Sequence, residues 1–253
     1  MVTEVTAKIR LFVEHPLGAG QSVPLNRDQA HYLFNVMRLA IGARVKLFNG
    51  VDGEWLCSVV EKGKRGGVLH AEEQLRDVQM PPDLWLIFAP IKKARTDFIV
   101  EKATEMGAAR IMPVQTTYTN ADRIRHDKLQ AHAVEAAEQC GGTYVPEVTA
   151  LQKLDRLLAD WPTGEKQERQ LLFCDEALIG QSSGFADGLS DAERTAPWAI
   201  LIGPEGGFSP EERARLRDLP YAHPVSLGPR ILRADTAAVA AMTIWQQMLG
   251  DWA

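Results

Sequence analysis

From Leu84 onward the sequence repeats one arrangement: a short, continuously apolar run followed by a stretch with apolar residues at helical spacing. The runs are "LWLIFAPI", "RIMPVQT", "QLLFCDE" and "WAILIG". Between them lie "TDFIVEKATEMG", with Thr96 as the expected N-cap and Gly107 just past the end, and "DKLQAHAVEAAEQCGG", which ends at Gly141. A strand that is apolar at every position buries both faces. This pattern therefore predicts an α/β fold with a mostly parallel sheet and helices on both faces. Ligands on such sheets bind beyond the carboxyl ends of the strands.

The first 78 residues are built differently. "NRDQAHYLFNVMRL" reads as one amphipathic helix with Asn26 as N-cap and Gln29 three positions later, and with His31 and Met37 as packed residues. After Gly42, β-rich runs alternate with "GVDG" and "KGKRGG", which are turn chemistry, so a small β-barrel with one helix is expected. "QMPPD" is the expected linker, because paired prolines stop any regular element. The expected domains are thus residues 1–78 and 79–253.

Charge and composition narrow the function classes. The net charge of −5 divides into +1 for residues 1–78 and −6 for residues 79–253, which disfavours bulk phosphate-driven binding and leaves local basic patches. No apolar run approaches the roughly 20 residues of a membrane span, and no secretory h-region opens the chain, so a cytoplasmic protein is expected. Cys57, Cys140 and Cys174 lack CxxC spacing and read as small buried hydrophobes. The six histidines show no ligand spacing, and no metal is expected.

Two loops carry the chemistry. "GPEGGFSPEE" follows the last apolar run, with Ser209 as N-cap, Pro210 at N1 and Glu212 at N3 of the next helix. Its glycines permit close backbone approach to an adenosine-like or polar ligand, although the same spacing fits an ordinary strand-to-helix turn. Phosphate is disfavoured, since neither GxxxxGK[ST] nor GxGxxG is present and Glu205 would repel it. The second loop, in "PVSLGPRILRADTAAVAAMTIWQQML", again runs from a short strand through Gly-Pro into a helix beginning near Asp235 or Thr236. The two loops read as two walls of one pocket. Trp245 and Met248 of the following helix read as core or interface.

"IGPEGGFSPEE" and "SLGPRILRADTAA" together resemble the two signature stretches of the bacterial 16S rRNA uridine-N3 methyltransferase family, in the SPOUT class. "KKARTDFIVEKATEMGAARIMPV", "AEQCGGTYVPEV" and "HYLFNVMRLAIGARVKLFNG" extend the resemblance over nearly the whole chain. Gly142 stands where the family pattern suggests Arg, and "QTTYTN" lacks an Arg expected after its strand; Tyr118, Arg123 and Arg125 are nearby substitutes.

The resemblance implies a SPOUT trefoil-knotted domain behind a PUA-like β-barrel. It implies S-adenosylmethionine held by Cys174, Gly203, Pro204, Glu205, Gly206, Gly207, Leu227, Gly228, Ile231 and Leu232. Arg233 is then expected to stabilise the uracil anion and Glu205 to take the N3 proton, unless Glu205 is a structural carboxylate. Arg10, Arg38, Arg95, Lys102 and Arg123 are the expected RNA contacts. The implied partner is 16S rRNA within the small (30S) subunit, and a homodimer is expected by analogy. Two other functions fit the same residues: a methyltransferase for another RNA such as tRNA, and a non-catalytic RNA-binding assembly factor.

Overall fold

The alternating patterns become two separately packed sheets. The computed structural model describes residues 7–121, 123–161, 168–180 and 188–252. Contacts divide the chain into Met1–Met80 with Ala137–Val145, and Pro81–Ala136 with Pro146–Ala253. The cut falls between Met80 and Pro81, inside the QMPPD segment and just before its paired prolines, and residues 137–145 return to the first unit.

The first unit contains β1 (Arg10–Phe12), β2 (Ser22–Leu25), α1 (Arg27–His31), β3 (Arg44–Phe48), β4 (Glu54–Lys62) and β5 (Gly67–Arg76). Its sheet order is β1-β3-β4-β5-β2, and the β4–β5 register shifts three times, which increases local twist. Asn26 and Gln29 form the expected capping box at the start of α1. The helix does not run straight to Leu39. It passes at Tyr32 into a π turn ending at Val36, and Arg38 then adopts φ +57°. Leu33 and Phe34 join the core with Val23, Val45, Leu47 and Leu69. The π turn rotates the residues after it, so Met37, expected to be packed, is 41% exposed. His31 is exposed as well and bonds Asn35.

The second unit continues with β6 (Leu84–Phe88), α2 (Lys93–Glu105), β7 (Arg110–Gln115), α3 (His126–Cys140), β8 (Glu147–Val148), β9 (Gln152–Lys153), α4 (Leu154–Ala159), β10 (Gln170–Cys174), α5 (Asp191–Arg194), β11 (Trp198–Ile202), α6 (Pro210–Arg217), β12 (Ala222–Val225) and α7 (Ala234–Leu249). The sheet order is β12-β10-β11-β6-β7-β8, all pairs parallel, with β9 beside β7. β10 and β11 are buried at every position. Ile87, Leu171, Phe173, Ala199 and Leu201 meet Leu154, Leu157, Leu158 and Leu216 of α4 and α6 on one face. The alternate residues turn to the opposite face, where α7 packs on β11 and α2 packs on α7.

Two local expectations are corrected. α2 begins at Lys93, three residues before Thr96; the Thr96 hydroxyl is buried and bonds the Ile91 N–H and C=O instead of capping the helix. Cys140 is exposed, unlike Cys57 and Cys174. Met248 is 44% exposed, whereas Trp245 is in the core. The polar stretch 177–197 contains α5 with its Ser190–Glu193 capping box; its residues 181–187 lie outside those described. Among the described residues, no helix is long and apolar enough to cross a membrane.

Candidate active site

Because β10, β11 and β12 are parallel neighbours, the chain leaves all three at the same edge of the sheet. A cleft of about 320 Å³ opens there, within the roughly 300–1,000 Å³ usual for small-molecule sites. One wall is the loop after β11, with Gly203, Pro204, Glu205 and Gly207. The facing wall is the loop after β12, with Leu227, Gly228, Ile231 and Leu232, and Cys174 closes the β10 end. Nine of the ten expected cofactor residues therefore meet in one place. Gly206 is the exception: its Cα faces Tyr118, whose Cβ lies 3.4 Å from where a side chain would begin.

The local reasons are legible. Ser209 and Glu212 make a capping box with Pro210 at the first helical position, which fixes where the glycine loop ends and α6 begins. The Glu212 carboxylate also accepts from the Thr117 N–H at 2.7 Å, tying α6 to the loop after β7. Gly207 has φ +70°, and a Cβ there would overlap the Glu176 carboxylate, so both its conformation and its neighbour demand glycine. The second wall is held by the Ser226 hydroxyl, which accepts from the Gly228 N–H at 3.3 Å.

Beneath the cleft lies a charge cluster that the sequence reading missed. The Asp175 side chain is completely buried. It accepts from Arg213 Nε and Arg217 Nε, each at 3.0 Å, and from the Ala177 N–H at 3.0 Å. Arg213 also pairs with Glu176. Helix α6 thus clamps the loop after β10 that forms the cleft floor. Arg213 and Arg217 are four residues apart, a spacing that puts both on one helix face and could have signalled a shared acidic partner. Burial pushes the Cys174 thiol up to about 12, so it stays protonated and serves as an apolar wall.

Glu205 and Arg233 both border the cleft, and both are exposed. Arg233 is the N-cap residue of α7, and neither it nor Arg230 has an ionic partner among the described residues. Ile231, also on the cleft, is 76% exposed, a large apolar side chain left for an occupant to cover.

The five expected RNA contacts separate. Arg38 and Arg123 are exposed. Arg95 pairs with Asp235 at 3.1 Å, and Lys102 pairs with Glu105 at 2.6 Å. Arg10 is corrected to a structural role. Its guanidinium donates to Glu54 and to the carbonyls of Ala137, Glu138 and Gly142, stacks on Phe48 at 4.5 Å, and is only 12% exposed. Burial would raise the Glu54 carboxyl, but hydrogen bonds from Arg10 and Arg76 outweigh it and hold the group below the usual range. Of the substitutes for the missing arginines, Arg125 pairs with Asp127, and Tyr118 is exposed beside Gly206.

Comparison with known proteins decides the family. A model of the RNA methyltransferase domain matches residues 78–246, two thirds of the chain. The chain belongs to the RNA methyltransferase family. A model of the RNA methyltransferase PUA domain matches residues 25–70 of the same enzyme. The ribosomal RNA small subunit methyltransferase E of Rickettsia conorii is 29% identical over 92% of this methyltransferase and 93% of its own length. Among solved structures, ribosomal RNA small subunit methyltransferase E of Neisseria gonorrhoeae bound to S-adenosylmethionine superposes with a TM-score of 0.84, at 25% identity, over 97% of this chain and 99% of its own. A Legionella pneumophila methyltransferase solved with the same cofactor gives 0.80 at 26% identity, over 97% and 100%. The parallel sheet and helices are therefore the fold of enzymes that bind this cofactor.

Proposed function

We propose that this methyltransferase transfers the methyl group of S-adenosylmethionine to N3 of a uridine in 16S rRNA of the small ribosomal subunit. The observation that carries the reading is the cleft itself: two glycine loops offer main-chain groups and apolar side chains, Asp175 and Glu176 are paired with Arg213, and Glu205, Arg230 and Arg233 border the cleft without an ionic partner among the described residues. Its relatives of similar length are named for small-subunit rRNA, and its structural relatives hold this cofactor. Gly203, Pro204, Gly207, Leu227, Gly228, Ile231 and Leu232 would hold the cofactor, which supplies an electrophilic methyl on a sulfonium. Cys174, protonated, does not compete as a nucleophile.

The uracil N3–H is undissociated at neutral pH, so this chain must remove that proton and stabilise the resulting charge. Glu205 accepts the proton. The N3 electron pair forms the new N–CH₃ bond as the C–S bond breaks, and the sulfur retains that bonding pair. Arg233 stabilises negative charge on the uracil carbonyls. Arg38 and Arg123 supply phosphate contacts, with the segment 1–78 as a PUA-like RNA-binding domain and 79–253 as the catalytic one. We infer that the enzyme acts in the cytoplasm as a homodimer; light scattering after size exclusion tests the state, and a monomer mass would overturn it.

The deciding experiment is transfer from labelled S-adenosylmethionine to small subunits lacking the modification, with naked 16S rRNA alongside. Nucleoside analysis should find the label in N3-methyluridine. No transfer to either, with cofactor bound, would move the reading to another RNA or to a non-catalytic assembly factor.

A further inference from the structure

A second hollow, of about 200 Å³, shares Pro204 and Glu205 with the cleft; Pro90, Ile91, Lys92 and Asn120 line it too. Pro90 and Ile91 follow β6, and Asn120 lies in the loop after β7. The hollow is therefore beyond the carboxyl ends of the next strands along the sheet, one step from the cofactor cleft. Its apolar surface comes from two prolines, an isoleucine and Ala121. Its polar groups are one ammonium, one amide and one carboxylate, and the ends of Lys92, Asn120 and Glu205 have no hydrogen-bonding or ionic partner among the described residues. Helix α2 starts at this wall, with Lys92 as an N-cap residue that makes no side-chain cap.

We propose that this hollow receives the extruded target base and that Lys92 and Asn120 determine its identity as uracil. The inference rests on the proposed transfer to uridine and adds the residues that read the base. The Watson–Crick edge of uracil presents acceptor, donor, acceptor: O4, N3–H, O2. An ammonium, an amide N–H₂ and a carboxylate around one hollow supply two donors and one acceptor, the complementary set. Cytosine breaks that match at two points, because its N4 amino group donates toward a donor and its N3 lone pair faces the Glu205 carboxylate. Lys92, Asn120 and Glu205 are exposed, and a base seated over them would leave the mismatched groups covered and unpaired, which is costly. As the N3 proton passes to Glu205 and the N–CH₃ bond forms, Lys92 and the positive end of α2 offset charge on the neighbouring carbonyl. Pro204 and Glu205 line both hollows, so a base seated in the second one lies next to the cofactor cleft.

The test is single-turnover transfer to unmodified small subunits at saturating S-adenosylmethionine, with equilibrium cofactor affinity measured in parallel. Lys92→Met and Asn120→Ala should each slow transfer, Lys92→Met on the order of 10²-fold, with cofactor affinity unchanged. Asn120→Asp, which turns a donor into an acceptor, should reduce the preference for uridine over cytidine placed at the target. Independently, 4-thiouridine at the target position in rRNA should cross-link the wild-type enzyme at the Lys92 or Asn120 segment. A wild-type enzyme that makes no N3-methyluridine would overturn the proposed function itself. Normal N3 methylation by the wild type with both variants at its rate, or cross-links that map elsewhere, would overturn this assignment alone. If the variants do not fold, the wild-type cross-link decides.

Discussion

Gly207 and Arg10 show how differently two residues can be specified. At Gly207 the backbone sits at φ +70° against the Glu176 carboxylate. Gly207→Ala should destabilise the enzyme by about 1 kcal/mol or more, and it should weaken cofactor binding because the loop must shift; calorimetric titration checks the second effect. Unchanged affinity would show that the loop adapts without cost. Arg10 looked like a free cation in the sequence and is spent inside the first unit on Glu54 and three carbonyls. Arg10→Ala would remove the nearest cation of the buried Glu54 while leaving Arg76 at 3.1 Å, with an expected loss of about 2–3 kcal/mol in urea unfolding. An RNA contact would behave oppositely, losing RNA affinity with stability intact. Nothing local distinguishes the two roles, because the partners of Arg10 on the 137–142 segment lie more than 120 positions away.

At the scale of the element, α6 is the most informative. Its start was legible: Ser209, Pro210 and Glu212 occupy the positions that satisfy the free N–H groups of a first turn. Ser209→Ala should cost about 1 kcal/mol, read from the urea midpoint at constant slope. What α6 does with its other face was not legible. Arg213 and Arg217 reach the completely buried Asp175, and Glu212 reaches Thr117, so the helix ties together the loops after β7, β10 and β11. α1 and α2 show the converse. The π turn at Tyr32 and the early start of α2 at Lys93 arise from packing, and they overrode a helical period and a plausible Thr96 cap.

For the whole molecule, the β12 edge supplies a pH response. Burial lowers the His223 pKa, partly opposed by Glu193, and its ring lies 5.0 Å from that of Trp198. The unfolded chain then binds this proton more readily than the fold does. Its contribution to stability is complete above the ordinary value of 6.5 and is lost as pH falls through that value toward the lower folded one. Unfolding free energy should therefore drop between pH 7 and pH 5, and His223→Gln should flatten that slope in chemical denaturation. A slope unchanged by the substitution would assign it to other groups.

The sequence by itself determined the kinds of elements and their alternation. Apolar runs buried at every position can only be inner strands of a covered sheet, and capping residues mark helix starts through bonds spanning three positions. It also determined that two glycine loops lie at strand ends, since both features are local. Only the tertiary structure decided that Glu205 borders two hollows, that Asp175 is clamped from α6 and that Arg10 is internal. The first two depend on the strand order β12-β10-β11-β6-β7, and the third on the return of residues 137–145 to the first unit. In each case residues far apart in the chain become neighbours, and no local propensity or spacing encodes that meeting.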